Sequence, residues 1–131
     1  RWYLGAFGLY VSVLNQCTYC IDHHTHAGGL AYPGEPEAWS VMEDALLNDR
    51  TDDVFKGKEL ALLGYARNLT LDPASLTAAS IDALREAGAS DGEILEVNQV
   101  AGYFAYANRV VLGLGVTLDG EVRAEQTEIL F

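Results

Sequence analysis

Ser90-Asp91-Gly92-Glu93 stands directly before a long apolar run in which Ile94, Val97, Ala101, Phe104, Asn108 and Val111 recur at intervals of three and four. A serine followed three residues later by a glutamate can exchange two hydrogen bonds around a helix start, and the period that follows is that of a helix with one buried face. The other apolar segments repeat this period, and a period-two alternation persists nowhere. An all-helical bundle of about six helices is the expectation. Asn108 is the one polar member of the stripe and needs hydrogen-bond partners if buried. It either caps a loop or fixes packing register, or it meets a neighbouring subunit or the wall of an active site.

The remaining helices are bounded by their own punctuation. Trp2 to Leu14 is apolar nearly all round, as in a helix buried on several sides or against a partner. A second helix is expected from about Thr18 to Ala27, ending at Gly28-Gly29. A third begins near Pro36 and ends at Asn48-Asp49-Arg50-Thr51, and a fourth covers Val54 to Asn68 and closes at Asp72-Pro73. The fifth runs from Leu76 to Ala87, with Thr77 as its cap and Gly88 as its stop. Tyr103, Phe104 and Tyr106 on the sixth helix read as core or interface in preference to a substrate pocket. The first and sixth helices carry more apolar surface than one copy of so small a domain covers, which predicts a homo-oligomer with a symmetric dimer as its minimal unit. The tail from Glu121 to Phe131 is expected to pack on a partner subunit.

With 131 residues and 50% hydrophobic content the chain fits a single domain, residues 1–131, large enough to bury a core. Its formal net charge of -11 comes from 19 acidic against 8 basic side chains, with no run of lysines or arginines. Nucleic acid is therefore not an expected partner, since that affinity is built from cationic contacts to phosphates. Arg1 to Leu14 reads neither as a signal peptide nor as a membrane span, which needs about 20 apolar residues. The cytoplasm is the expected compartment, because two closely spaced cysteines suit a cycling dithiol better than a secreted disulfide scaffold. The sequence opens on arginine, and an N-terminal segment is expected to be missing from it.

Chemistry concentrates in Asn15-Gln16-Cys17-Thr18-Tyr19-Cys20-Ile21-Asp22-His23-His24, which holds the chain's only two cysteines. On a helix, spacings of three and four bring Cys17, Cys20, His23 and His24 onto one face. Asn15 is the candidate N-cap, which would leave Cys17 in the first turn, where free amides and the positive dipole end favour a thiolate. Such placement depresses a cysteine pKa from ~8.5 toward ~3.5 to 7.5, and a nearby histidine can exchange a proton with the second sulfur. Three readings compete. A structural disulfide would close a tiny loop and stabilise little. A zinc site from Cys17, Cys20, His24 and His26 would place all its ligands on one short stretch, whereas structural zinc sites generally draw a second pair from elsewhere. The third reading is thiol redox chemistry.

The stretch from Val11 to Cys20 followed by His23-His24 resembles the core of the AhpD-like alkylhydroperoxidases of the carboxymuconolactone decarboxylase superfamily. Leu84 to Gly88, Asp91, Glu93 to Glu96, Tyr103-Phe104 and Asn108-Arg109 resemble the C-terminal half of its peroxidase-related subgroup. The resemblance spans about residues 3 to 119. It implies that Cys17 is peroxidatic, Cys20 resolving and His24 the proton relay, with His23, Tyr19 and Asn15 in support. Geometry alone does not separate His24 from His23, since both reach Cys20.

Two positions depart from the pattern. The relay glutamate of the family, twelve residues before the first cysteine, is replaced by Gly5, and Tyr19 stands where the alkylhydroperoxidase itself has a second histidine, although a tyrosine there resembles the peroxidase-related subgroup. A general acid or base contributes about 10²- to 10⁴-fold, so a competent but slow dithiol is expected. Asp22, His23 and His26 are the candidate substitutes.

The implied activity is thiol-dependent reduction of alkyl hydroperoxides, reset by an external dithiol of lipoyl or thioredoxin type, with no metal and no flavin or nicotinamide cofactor. The resemblance also implies association into dimers, trimers or hexamers. The alternatives are a non-catalytic redox sensor or binding protein, and a decarboxylase-like enzyme acting on an organic acid.

Overall fold

The structure is a computed structural model in which residues 2–118 are described. Among these, six α-helices and two single 3-10 turns succeed one another without a strand: α1 Trp2–Leu14, α2 Thr18–Ala31, α3 Pro36–Leu47, α4 Gly57–Leu71, α5 Ala78–Glu86 and α6 Asp91–Leu114. The 3-10 turns are Thr51–Asp53, between α3 and α4, and Pro73–Ser75, between α4 and α5. The tail from Glu121 to Phe131 lies outside the described residues.

α1 is the axis of the bundle. Every residue from Ala6 to Ser12 is buried, and the helix packs against α2, α3, α4 and α6. Its near-continuous apolar sequence follows from that surround, because from Ala6 to Ser12 no face is left for water. Phe7, Leu9, Tyr10 and Val11 join Leu46, Leu63, Ala66, Val97 and Ala101 in the main core. A second, smaller cluster gathers Cys17, Tyr19, Cys20 and Val111, with Val116 and Leu118 against it.

The start of α6 is the capping box read from the sequence. Glu93 donates its backbone amide to Ser90 Oγ (3.1 Å), and Glu93 Oε1 accepts the Ser90 amide (2.9 Å). These bonds, together with Lys58 Nζ at 2.9 Å, hold the Glu93 carboxyl down at about 2. At α5, Thr77 is the N-cap as expected, while Leu76 falls outside the helix.

Two expected bounds are corrected. α2 runs through Gly28-Gly29 to Ala31, so these glycines do not end it. Gly28 is there for contact: a β-carbon on it would lie 2.5 Å from Cη2 of the buried Trp39 on α3. The helix stops instead at Tyr32, whose extended backbone (φ −68°, ψ 125°) is what the following Pro33 requires. α4 begins at Gly57, not Val54, because the 3-10 turn at Thr51–Asp53 and the inward Phe55 occupy the preceding residues.

Helices α1, α3, α5 and α6 end in one geometry. A residue with positive φ donates to the carbonyl three back, and the next residue donates to the carbonyl five back. Glycine serves at Gly88 and Gly115, whereas Gln16 (φ 57°) and Asp49 (φ 54°) adopt the left-handed conformation with side chains, at about 1–2 kcal/mol each. Asp49 is compensated by its partners. Arg67 binds its carboxylate at 3.0 Å and holds it below the usual range, and the buried Tyr10 hydroxyl donates to it. Burial and this carboxylate together raise the Tyr10 pKa far above that of a free phenol.

Candidate active site

The end of α1 sets the position of Cys17. Gln16 donates to the Val13 carbonyl and Cys17 to the Ser12 carbonyl, each at 3.0 Å, so Cys17 is still tied to α1 when it becomes the N-cap of α2. The expected N-cap, Asn15, is corrected: it lies within the α1 terminus, and its side chain donates to Asn108 Oδ1 (3.0 Å) instead of capping α2. Cys17, with φ −92° and ψ 90°, sits directly at the positive end of α2. It forms a disulfide with Cys20, with a Cα–Cα distance of 5.2 Å. Both cysteines are fully buried, and Tyr19 between them is also buried.

His24 follows one turn after Cys20 on the inner side of α2, only 8% exposed. Its ring meets Phe104 of α6 edge-on, with centroids 4.5 Å apart. Gly8 of α1 makes room for this pair, since a β-carbon there would lie 2.8 Å from Phe104 Cε2 and 3.2 Å from His24 Cε1. Burial, and then the neighbouring His23, lower the His24 pKa from 6.5 to about 4. The imidazole is therefore neutral at pH 7 and has a nitrogen lone pair to take a proton. His23 is half-buried and packs against Tyr19, centroids 4.5 Å apart, while His26 is exposed. Among the described residues no group of three or more histidine, cysteine, aspartate or glutamate side chains is placed to hold a metal ion.

A cavity of about 390 Å³ adjoins the disulfide, lined by Gln16, Cys17, Thr18, Tyr19, Val111, Leu112, Val116, Thr117 and Leu118. Cys17 belongs to its wall and Cys20 does not. Position 5 faces elsewhere: nothing lies within 4 Å of a β-carbon built on Gly5. Gly5 borders an open cleft of about 480 Å³ with Leu4, Glu96, Gln99, Val100, Tyr103 and Phe104. Phe104 thus stands between this cleft and His24.

Comparison with solved structures finds a crystal structure of an uncharacterized peroxidase-related protein from Silicibacter sp. TM1040 that superposes with a TM-score of 0.78. The two share a fold. The match covers 94% of this chain at 23% sequence identity, and this chain spans 62% of the Silicibacter protein. No family model matches the sequence. No curated protein matches it either.

Of the site residues read from the sequence, the fold brings Cys17, Cys20 and Tyr19 into one cluster and puts His24 on the buried side of α2. His23 lies to one side of that path, on Tyr19. The sequence reading missed Gly8 and Ser12. Ser12 has a detectable signature, as a hydroxyl in an otherwise apolar helix; Gly8 becomes visible only once α1, α2 and α6 are packed together.

Proposed function

We propose that the protein is an AhpD-like peroxidase that reduces organic hydroperoxides through the Cys17–Cys20 pair. The observation carrying this reading is a dithiol pair at a helix N-terminus with a buried, neutral histidine one turn further on. Cys17 takes the peroxidatic role because it is the cysteine on the cavity wall. Its thiolate attacks the terminal peroxide oxygen, the O–O bond breaks, and the alkoxide leaves with a proton as the alcohol. Cys17 is then a sulfenic acid. Cys20 loses its proton to His24 and attacks the Cys17 sulfur, releasing water and closing the disulfide. An external dithiol of lipoyl or thioredoxin class returns two electrons and two protons.

The apolar lining by Val111, Leu112, Val116 and Leu118 supports an alkyl-bearing substrate. Neither sulfur has exposed surface, so the wall around Cys17 must part for the peroxide to arrive. Self-association belongs to the same reading and is supported by exposed Leu95, Tyr103, Tyr106 and Leu112 on α6. Gly5 favours one alternative, a redox sensor that forms the disulfide but turns over slowly.

The deciding experiment counts free thiols after one equivalent of an alkyl hydroperoxide is added to reduced protein, with metal content measured on the same samples. Rapid loss of two thiols in the wild type, and no intramolecular disulfide in Cys17→Ser or Cys20→Ser, is the expected result. Thiols that stay free in metal-free protein would overturn the peroxidase reading.

A further inference from the structure

Behind the Cys17 turn lies a chain of buried polar groups that the proposed cycle does not use. Asn108 of α6 has no exposed surface. Its Nδ2 donates to Ser12 Oγ at 3.0 Å, and its Oδ1 accepts from Asn15 Nδ2 at 3.0 Å. Ser12 Oγ in turn donates to the Gly8 carbonyl at 2.8 Å, and the Ser12 carbonyl accepts the Cys17 amide at 3.0 Å. One amide on α6 therefore grips the terminus of α1 at two residues, Ser12 and Asn15, just before the bend that delivers Cys17. Between the gripped residues and Cys17 stands Gln16, held with φ 57°.

Joining α1 to α6 does not require this chain. The two helices already pack together, with Ala6, Phe7 and Ala101 in one apolar core, and apolar groups of the same shape can replace a buried polar pair at little net cost. Polar contacts at positions 12, 15 and 108 fix something that apolar packing leaves free, the direction in which the backbone leaves α1.

We propose that Asn108 is a positioning residue for the Cys17–Cys20 couple, acting through Asn15 and Ser12 to hold Cys17 where its sulfur meets that of Cys20. The inference rests on the pair cycling between dithiol and disulfide, as proposed above. A reduced pair held in bonding geometry closes with a high effective concentration, which lowers the reduction potential of the disulfide. Releasing the turn gives reduced Cys17 more conformations and shifts the balance toward the dithiol.

The test equilibrates the protein with mixtures of reduced and oxidised dithiothreitol. In that exchange two electrons and two protons pass from the protein dithiol to the reagent disulfide, with no other reactant. Asn108→Leu is expected to lower the equilibrium constant for forming the protein disulfide about tenfold, the scale of one net hydrogen bond, which corresponds to a potential about 30 mV more positive. Asn15→Ala, at a half-buried position, is expected to shift it in the same direction by about threefold. Val97→Ala, in the core away from the turn, is the control: it lowers Tm and leaves the constant unchanged.

If Asn108→Leu does not fold, Asn15→Ala decides. Folded variants with lowered Tm but a wild-type constant would overturn the inference while leaving the redox reading standing. A wild-type pair that does not exchange with dithiothreitol at all would overturn both.

Discussion

His24 is built to stay uncharged. Its pKa, lowered from 6.5 to about 4 by burial, lies below its value in an unfolded chain. The unfolded state therefore binds the proton more readily, and stability present above pH 6.5 drains away as pH falls toward 4. The full loss is about 3 kcal/mol, from the free-energy equivalent of the shift. Urea unfolding of the oxidised protein at pH 7 and pH 4.5 checks this; His24→Asn is expected to flatten the dependence, the carboxylates contributing their own slope to both proteins. At Gly5 the expectation has the opposite sign. A β-carbon at position 5 meets nothing within 4 Å, and under the proposed cycle Gly5→Glu raises the rate of peroxide-driven disulfide formation by about 10²-fold, read by stopped-flow thiol loss. A rate equal to wild type would remove position 5 from the chemistry.

At the scale of the helix, close contact decides what local signals leave open. The capping box at Ser90 and the stop at Asp72-Pro73 were legible because bonding within four residues fixes them. Gly28-Gly29 carried the same local signal for a stop, yet α2 continues because Trp39 needs the missing β-carbon at Gly28. Asn15 misled for a related reason. A polar side chain beside a helix boundary reads as a cap, and its actual partner, Asn108, is 93 residues away in sequence. Gly28→Ala is expected to destabilise the protein by about 1–3 kcal/mol through overpacking against the indole. The ~1 kcal/mol that alanine gains over glycine in a helix is smaller than most of that range. A thermal unfolding midpoint raised by the substitution would show that α2 and α3 separate easily.

For the whole molecule, the helical class was readable from period, whereas the apolar α1 was read as buried on several sides or against a partner, and the structure shows it enclosed by α2, α3, α4 and α6. The cavity beside Cys17 was not readable, since its walls come from segments far apart in sequence, Gln16 to Tyr19 and Val111, Leu112 and Val116 to Leu118. The proposed self-association would use the outer face of α6, where Tyr106 is 66% exposed and Tyr103 47%. Tyr106→Glu is expected to reduce the sedimentation coefficient to that of one copy of 14.2 kDa. A wild-type protein that already sediments as one copy would show that this face stays in water.

Cys17 closes α1 and opens α2 at once, and α1 is the most enclosed element of the fold. The disulfide is thus mounted on the end of that helix, whose amide protons are expected to exchange slowly. Under the proposed cycle, oxidation and reduction would amount to a rearrangement of two sulfur atoms on a supported frame, with movement confined to the wall around Cys17.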